Sequence, residues 1–160
     1  MALNFPASPT DGQIHAPHGV GGITYVYNGT AGAWEKSVRN NDMNISYVID
    51  NAGEEITVGT KGTIEVTQNC LINYWTMVAD QSGSANVDMW SRDYSTTLPT
   101  QANSVTDNIG MTISTATANQ SNIISNWRMN RINAGNVITY NVQSCSTITR
   151  LAVHLYGYEI

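Results

Sequence analysis

Apolar residues along this chain recur at every second position in short runs, and no long stretch carries the three-to-four spacing of a helix. In "RLAVHLYGYEI" Leu151, Val153 and Leu155 fall on one face, while Arg150, Ala152, His154 and Tyr156 fall on the other. In "NYWTMVAD" Trp75 and Met77 share a side, and Tyr74, Thr76 and Val78 lie opposite, a pattern expected of a strand covered on both faces. Strands are predicted at about 62–67, 70–79, 84–91, 109–115, 121–129, 135–143 and 147–158, separated by Gly, Asn, Asp and Ser. "TATANQSNIISNW" competes weakly as a helix, because Asn, Ser and β-branched residues disfavour one. The series predicts an all-β fold, a jelly-roll-like antiparallel β-sandwich.

The start of the chain reads differently, which divides it into an N-terminal arm and hairpin at 1–40 and a sandwich at 41–160. Two short β-type runs, Ile23 to Tyr27 and Ala33 to Lys36, are joined by Asn28-Gly29-Thr30-Ala31-Gly32, residues that accept positive φ. Before them, Pro6 and Pro9 in "LNFPASPTDGQ" fix φ twice and remove two donors, leaving an extended segment with little freedom to lose on docking. As a docking arm it would bury Leu3 and Phe5 on another protein, worth roughly 3 to 6 kcal/mol before ordering costs. The alternative is that the prolines cap the hairpin. After a polar link at 37–44 come the apolar run Ile45 to Ile49, a turn at Asp50-Asn51-Ala52-Gly53, and the Glu54-Glu55 pair.

Composition narrows the partners. The chain has 160 residues, 41% of them hydrophobic and only 12% charged, so its surface must be largely Asn, Ser, Thr, Gln and Gly. Its net charge of -5 comes without a cluster of Lys or Arg, which argues against nucleic acid. No apolar run reaches the roughly 18 residues that span a bilayer, and the start lacks a basic segment followed by an apolar one. Membrane association is therefore not expected, and synthesis in a cytoplasm without export is. Cys70 and Cys145 lie in apolar-patterned strands and read as buried thiols, with a disulfide as the alternative if those strands are neighbours.

Chemical motifs are sparse. There is no phosphate-binding glycine loop, nucleophile elbow or Cys-x-x-Cys pattern, so no catalytic residue, cofactor or metal is predicted. His15 and His18 in "HAPH" read as loop histidines, with a metal pair or a pH-sensitive contact as alternatives. Asp80, Asp88 and Asp93 flank the aromatic strands as paired glycosidase carboxylates would, yet Asp80 sits in a turn-like "ADQSGS" and Asp88 alternates as a solvent-facing residue would. A calcium site built from these loop oxygens is a further alternative, though no loop motif fits. Aromatics are the stronger lead: Tyr25, Tyr27 and Trp34 on the hairpin, and Tyr94, Tyr140, Tyr156 and Tyr158 elsewhere, exceed what one face of a small core needs. They suit either a subunit interface or a glycan surface.

Two stretches carry a family resemblance. "LNFPASPTDGQIHAPHGVGGITYVYNGTAGAWE", through Phe5, Pro6, Pro9, Gly12, Tyr25, Tyr27, Gly32 and Trp34, resembles a short module near the ends of tail-fibre and other virion proteins of tailed bacteriophages, cyanophages included. From about Gly62 to Tyr156, "WTMVADQSGSANVDMWS", "LPTQANSVT" and "NAGNVITYNVQSCSTITRLAVHLYG" are similar to a C-terminal β-sandwich domain of phage tail proteins. The resemblance implies a non-enzymatic virion component, commonly a homotrimer, partnered by other virion proteins and facing the host. It makes Trp90, Asp93 and Tyr94 a candidate surface for host polysaccharide or for a subunit. Lacking a shaft or coiled coil, the chain fits a short tail appendage, or alternatively a capsid decoration protein.

Overall fold

Turn chemistry organises the first part of the chain. Asn28 Oδ1 accepts the amides of Thr30 and Ala31 at 3.1 and 3.0 Å, and Gly32 takes φ +64°, reversing the chain between β2 (Thr24–Asn28) and β3 (Ala33–Ser37). A third strand, β1 (Ile14–His15), pairs with β2, giving the order β1-β2-β3. The computed structural model describes residues 5–15, 24–37, 42–94, 97–122 and 124–160, and the chain divides into two compact units, Met1–Asn41 and Asp42–Ile160. Leu3, His18 and Ile23 lie outside the described residues.

The second unit is one antiparallel sheet. Its strands are β4 (Asp42–Asp50), β5 (Gly59–Glu65), β6 (Cys70–Asp93), β7 (Met111–Ser121), β8 (Arg131–Ile132), β9 (Asn136–Ser146) and β10 (Arg150–Glu159). They run in the order β4-β10-β6-β9-β5, with β7 and β8 also on β6. The 24-residue β6 organises them. Its first half pairs with β10, from Glu159↔Cys70 to Leu151↔Ala79, and its second half pairs with β9, from Ser84↔Ser146 to Asp93↔Asn136. A central strand that changes neighbours halfway curls the sheet over a single core.

Two devices hold that bend. A Cβ on Gly83 would stand 2.4 Å from Ser146 O and from Thr147 Oγ1, so only glycine lets the chains approach there. Asp80 accepts hydrogen bonds from the backbone N–H groups of Thr149 and Arg150 and from Thr149 Oγ1, clasping the β9–β10 turn. The Thr149 hydroxyl, then the Arg150 amide, hold the Asp80 carboxyl below its ordinary range.

Alternation then fills the core. Leu151, Val153 and Leu155 of β10, Trp75 and Met77 of β6, and Tyr140 and Val142 of β9 are buried in one cluster. Tyr47 of β4 stacks on Tyr140 of β9 at 4.9 Å although β10 and β6 separate their strands in the sheet, so the curl brings them face to face. Tyr47 Oη then donates to Lys61 O of β5 at 2.9 Å, linking the two end strands. Burial drives the Tyr140 phenol well above its ordinary range, with Tyr47 adding to the effect.

The all-β, sandwich-like architecture agrees with the sequence pattern; several local expectations do not. "ADQSGS" is not a turn between two strands but the bend of one strand, because Gly83 serves close packing rather than chain reversal. Among the described residues of the predicted strand at 121–129 only Ser121, the end of β7, is in a strand; a turn at 125–126 and bends at 127–128 follow. The Tyr74 face of β6 is not covered, since Tyr74 and Val78 remain 39% and 49% exposed. Asp88 does not face solvent; it is 0% exposed. Both cysteines are free thiols, Cys70 opposite Glu159 and Ile132 and Cys145 opposite Ala85, which removes the disulfide alternative.

Candidate functional site

The outer side of β4, β10, β6 and β7 carries three adjacent cross-strand rows. Asn44, Tyr156 and Tyr74 form one, Ser46, His154, Thr76 and Gln120 the next, and Val48, Ala152, Val78 and Ala118 the third. None contains Lys, Arg, Asp or Glu. The Tyr74 and Tyr156 rings stack at 4.5 Å with 9° between their planes, and His154 Nδ1 lies 2.7 Å from Ser46 Oγ. Val48 is 53% exposed. A shallow groove of about 410 Å³ beside these rows is lined by Thr76, Met77, Val78, Ala118, Asn119 and Gln120. Charge begins only at the margins, with Arg150 and Asp50 2.7 Å apart at one end and Asp42, opposite Tyr158, at the other.

This face was half visible in the sequence. Alternation places Tyr156 and His154 away from the core and Tyr74 opposite Trp75. What unites them is the pairing Tyr156↔Tyr74, a contact across 82 positions that no local pattern announces.

The surface read from the sequence at Trp90, Asp93 and Tyr94 is arranged otherwise. Trp90 is half-buried, its indole Nε1 donating to Asp88 Oδ2 at 2.6 Å. Asp88 Oδ1 also accepts Met89 N–H at 2.7 Å, Ser104 Oγ at 2.8 Å and Thr106 Oγ1 at 2.6 Å. Those hydroxyls in turn accept the amides of Asn108 and Gly110 at 2.8 and 2.9 Å. Asp88 is thus the acceptor that fixes segment 104–110 against β6, and Trp90 belongs to that structural network. Asp93 and Tyr94 are exposed, Tyr94 at 66%, whereas Trp90 is held by the buried Asp88.

In the first unit the aromatic residues come together. Phe5 stacks on Trp34 at 5.2 Å and 17°, meets Tyr25 edge-on at 5.0 Å and lies 5.4 Å from His15. Tyr27 lies 5.4 Å from Trp34. Asp11 Oδ1 accepts the Gly29 amide at 2.7 Å, and Gly12 N–H donates to Tyr27 O at 2.9 Å, so the segment after Pro9 is stitched to the hairpin. Phe5 is engaged by its own module rather than offered as a free anchor. Pro6 and Pro9 are partly exposed beside it.

For chemistry the arrangement offers little. Among the described residues no group of three or more His, Cys, Asp or Glu side chains is placed to hold a metal ion. Asp80, Asp88 and Asp93 have separate surroundings: a turn clasp, a buried network and open solvent. Burial raises both thiols, Cys145 further through Glu55, which disfavours the reactive thiolate. No protein-family model, curated protein or solved structure matches this chain.

Proposed function

We propose that this chain is a non-enzymatic structural protein of a bacteriophage particle, a short tail-appendage subunit that attaches through its first unit and presents the uncharged tyrosine face of its second to host polysaccharide. The observation that carries the binding role is that face: stacked aromatic rings beside Asn, Ser, Thr, Gln and His, with no fixed charge to repel or desolvate. Sugars are recognised by such combinations, CH groups resting on rings and hydroxyls meeting amides and hydroxyls. The particle assignment rests on the two sequence resemblances. Virion proteins and further copies of the chain are its partners in this reading.

Capsid decoration is the second reading, favoured by the first unit, whose aromatic cluster of Phe5, His15, Tyr25, Tyr27 and Trp34 is only half-buried and gains by lying on a surface. The copy number of the protein in purified virions, measured by quantitative mass spectrometry against the major capsid protein, separates the two. A few to a few tens of copies fits the appendage, and hundreds fit the shell. Glycan-array binding of the full chain tests the face directly: Tyr74→Ala and Tyr156→Ala abolish binding if the reading is right, and unchanged binding in both variants rejects it.

A further inference from the structure

The long strand edges of the curled sheet are not equally protected. On β5 the register breaks between Thr60 and Gly62, and the Lys61 carbonyl is taken by Tyr47 Oη. On β7 Thr115 adopts φ +50°, its amide donates to Ser84 Oγ at 3.0 Å, and the Thr112 carbonyl accepts from Asn119 Nδ2 at 2.6 Å. Bulges and occupied backbone groups of this kind stop an edge from recruiting another strand. β4 has no such device. Its nine residues pair with β10 without a register break, from Arg150↔Asp50 to Tyr158↔Asp42. "DMNISYVID" contains no proline, lysine or arginine, and its free edge pairs with no other strand among the described residues.

We infer that β4 pairs antiparallel with β4 of a second copy, about a two-fold axis at Ser46. Only this centre uses all nine residues. It sets Ile45 opposite Tyr47 and Met43 opposite Ile49 of the second copy, covering three inward side chains, Met43, Ile45 and Tyr47, that the open edge leaves half-buried. On the outer side Asn44 meets Val48. At each end Asp42 meets Asp50 of the other copy, whose carboxylate already holds Arg150. That guanidinium, 65% exposed, flanks Asp50 on the β10 side, away from Asp42 of the other copy, and its positive charge offsets one of the two acids at each end. The pairing joins two sheets edge to edge and is independent of the functional reading above.

The register has a covalent test. Directly opposed residues of an antiparallel pair lie about 4.5 to 5.5 Å apart at Cα, inside the roughly 4.4 to 6.8 Å that a disulfide spans. Full-length Ser46→Cys, mildly oxidised, is expected to become a disulfide-linked dimer. Asn44→Cys is expected to stay unlinked, because its counterpart lies four residues along the strand, about 13 Å away. Wild-type protein under the same conditions controls for Cys70 and Cys145. Ser46→Lys places two ammonium groups at the axis, and light scattering is expected to read half the wild-type mass. A wild-type mass of one copy, an unlinked Ser46→Cys, or equal linking of Asn44→Cys would overturn the inference; a β4 edge covered by the chain's own first unit gives the second of these results.

Discussion

The two units of this chain are stabilised in opposite ways. Among the residues whose burial is described, all 23 buried hydrophobic side chains belong to residues 42–160, gathered about β6, and those of the first unit are half-buried or exposed. The first unit relies on a hydrogen-bonded turn and a half-exposed cluster of Phe5, His15, Tyr25, Tyr27 and Trp34. Folds near 40 residues seldom hold without a staple or a partner. Charge divides the same way: Asp11 and Glu35 balance Lys36 and Arg39, so the net charge of -5 belongs to the second unit. A neutral, aromatic, thinly packed module is the kind of unit that gains stability from a partner surface, as the proposed attachment role requires.

Replacing Asp88 should break the second unit most severely. Asp88→Ala leaves Ser104, Thr106, the Trp90 indole and the Met89 amide without their acceptor, and about 3 to 5 kcal/mol should be lost in urea unfolding. Next is Gly157→Ala, whose Cβ would stand 1.9 Å from the Leu71 carbonyl oxygen where β6 bulges at Asn73 against β10. Backbone cannot yield as a side chain can, and a loss of about 1 to 3 kcal/mol in the same transition is expected. Tyr47→Phe keeps the stack on Tyr140 but drops the hydrogen bond to Lys61 O; about 1 kcal/mol should disappear.

Acid should act on the same unit through Asp50 and Asp80. The Ala52 amide and Arg150 lower the Asp50 carboxyl, as Thr149 and the Arg150 amide lower that of Asp80, both from 3.8. A lowered carboxyl contributes stability that is complete above its unfolded value and is lost as pH falls through the folded one. Thermal unfolding temperatures should therefore drop below about pH 4, and the drop should be shallower in Asp80→Asn. The smallest effect on global stability should come from the first unit. Trp34→Ala removes the ring that Phe5, His15 and Tyr27 share, yet it should leave the main unfolding transition within about 0.5 kcal/mol of wild type. A large shift in that transition would erase the contrast between the units.

Local pattern carried the fold as far as local physics determines it. The alternation of β10 and the Asn-Gly-rich turn of the first unit are short-range consequences of side-chain parity and permitted φ, and both were legible. β6 was not, because "DQSGS" has the composition of a turn, while its role is set by Ser146 and Thr147 more than sixty residues away. Parity also misplaced Asp88: it does point away from Val87 and Met89, but segment 104–110 folds over it. The tyrosine face needed strand order, which sequence periodicity does not specify. Phe5 reads as an apolar anchor for another protein, whereas its ring stacks on Trp34 of the same module, a contact set by tertiary placement and not by local pattern.

Amide hydrogen exchange on the full chain tests the contrast between the units most directly. The account predicts opening free energies below about 2 kcal/mol for residues 24–37, against values near the global stability, about 5 to 15 kcal/mol, for the paired cores of β6, β9 and β10. Equal protection in both units would contradict it, and would mean that the first unit is as well packed as the second.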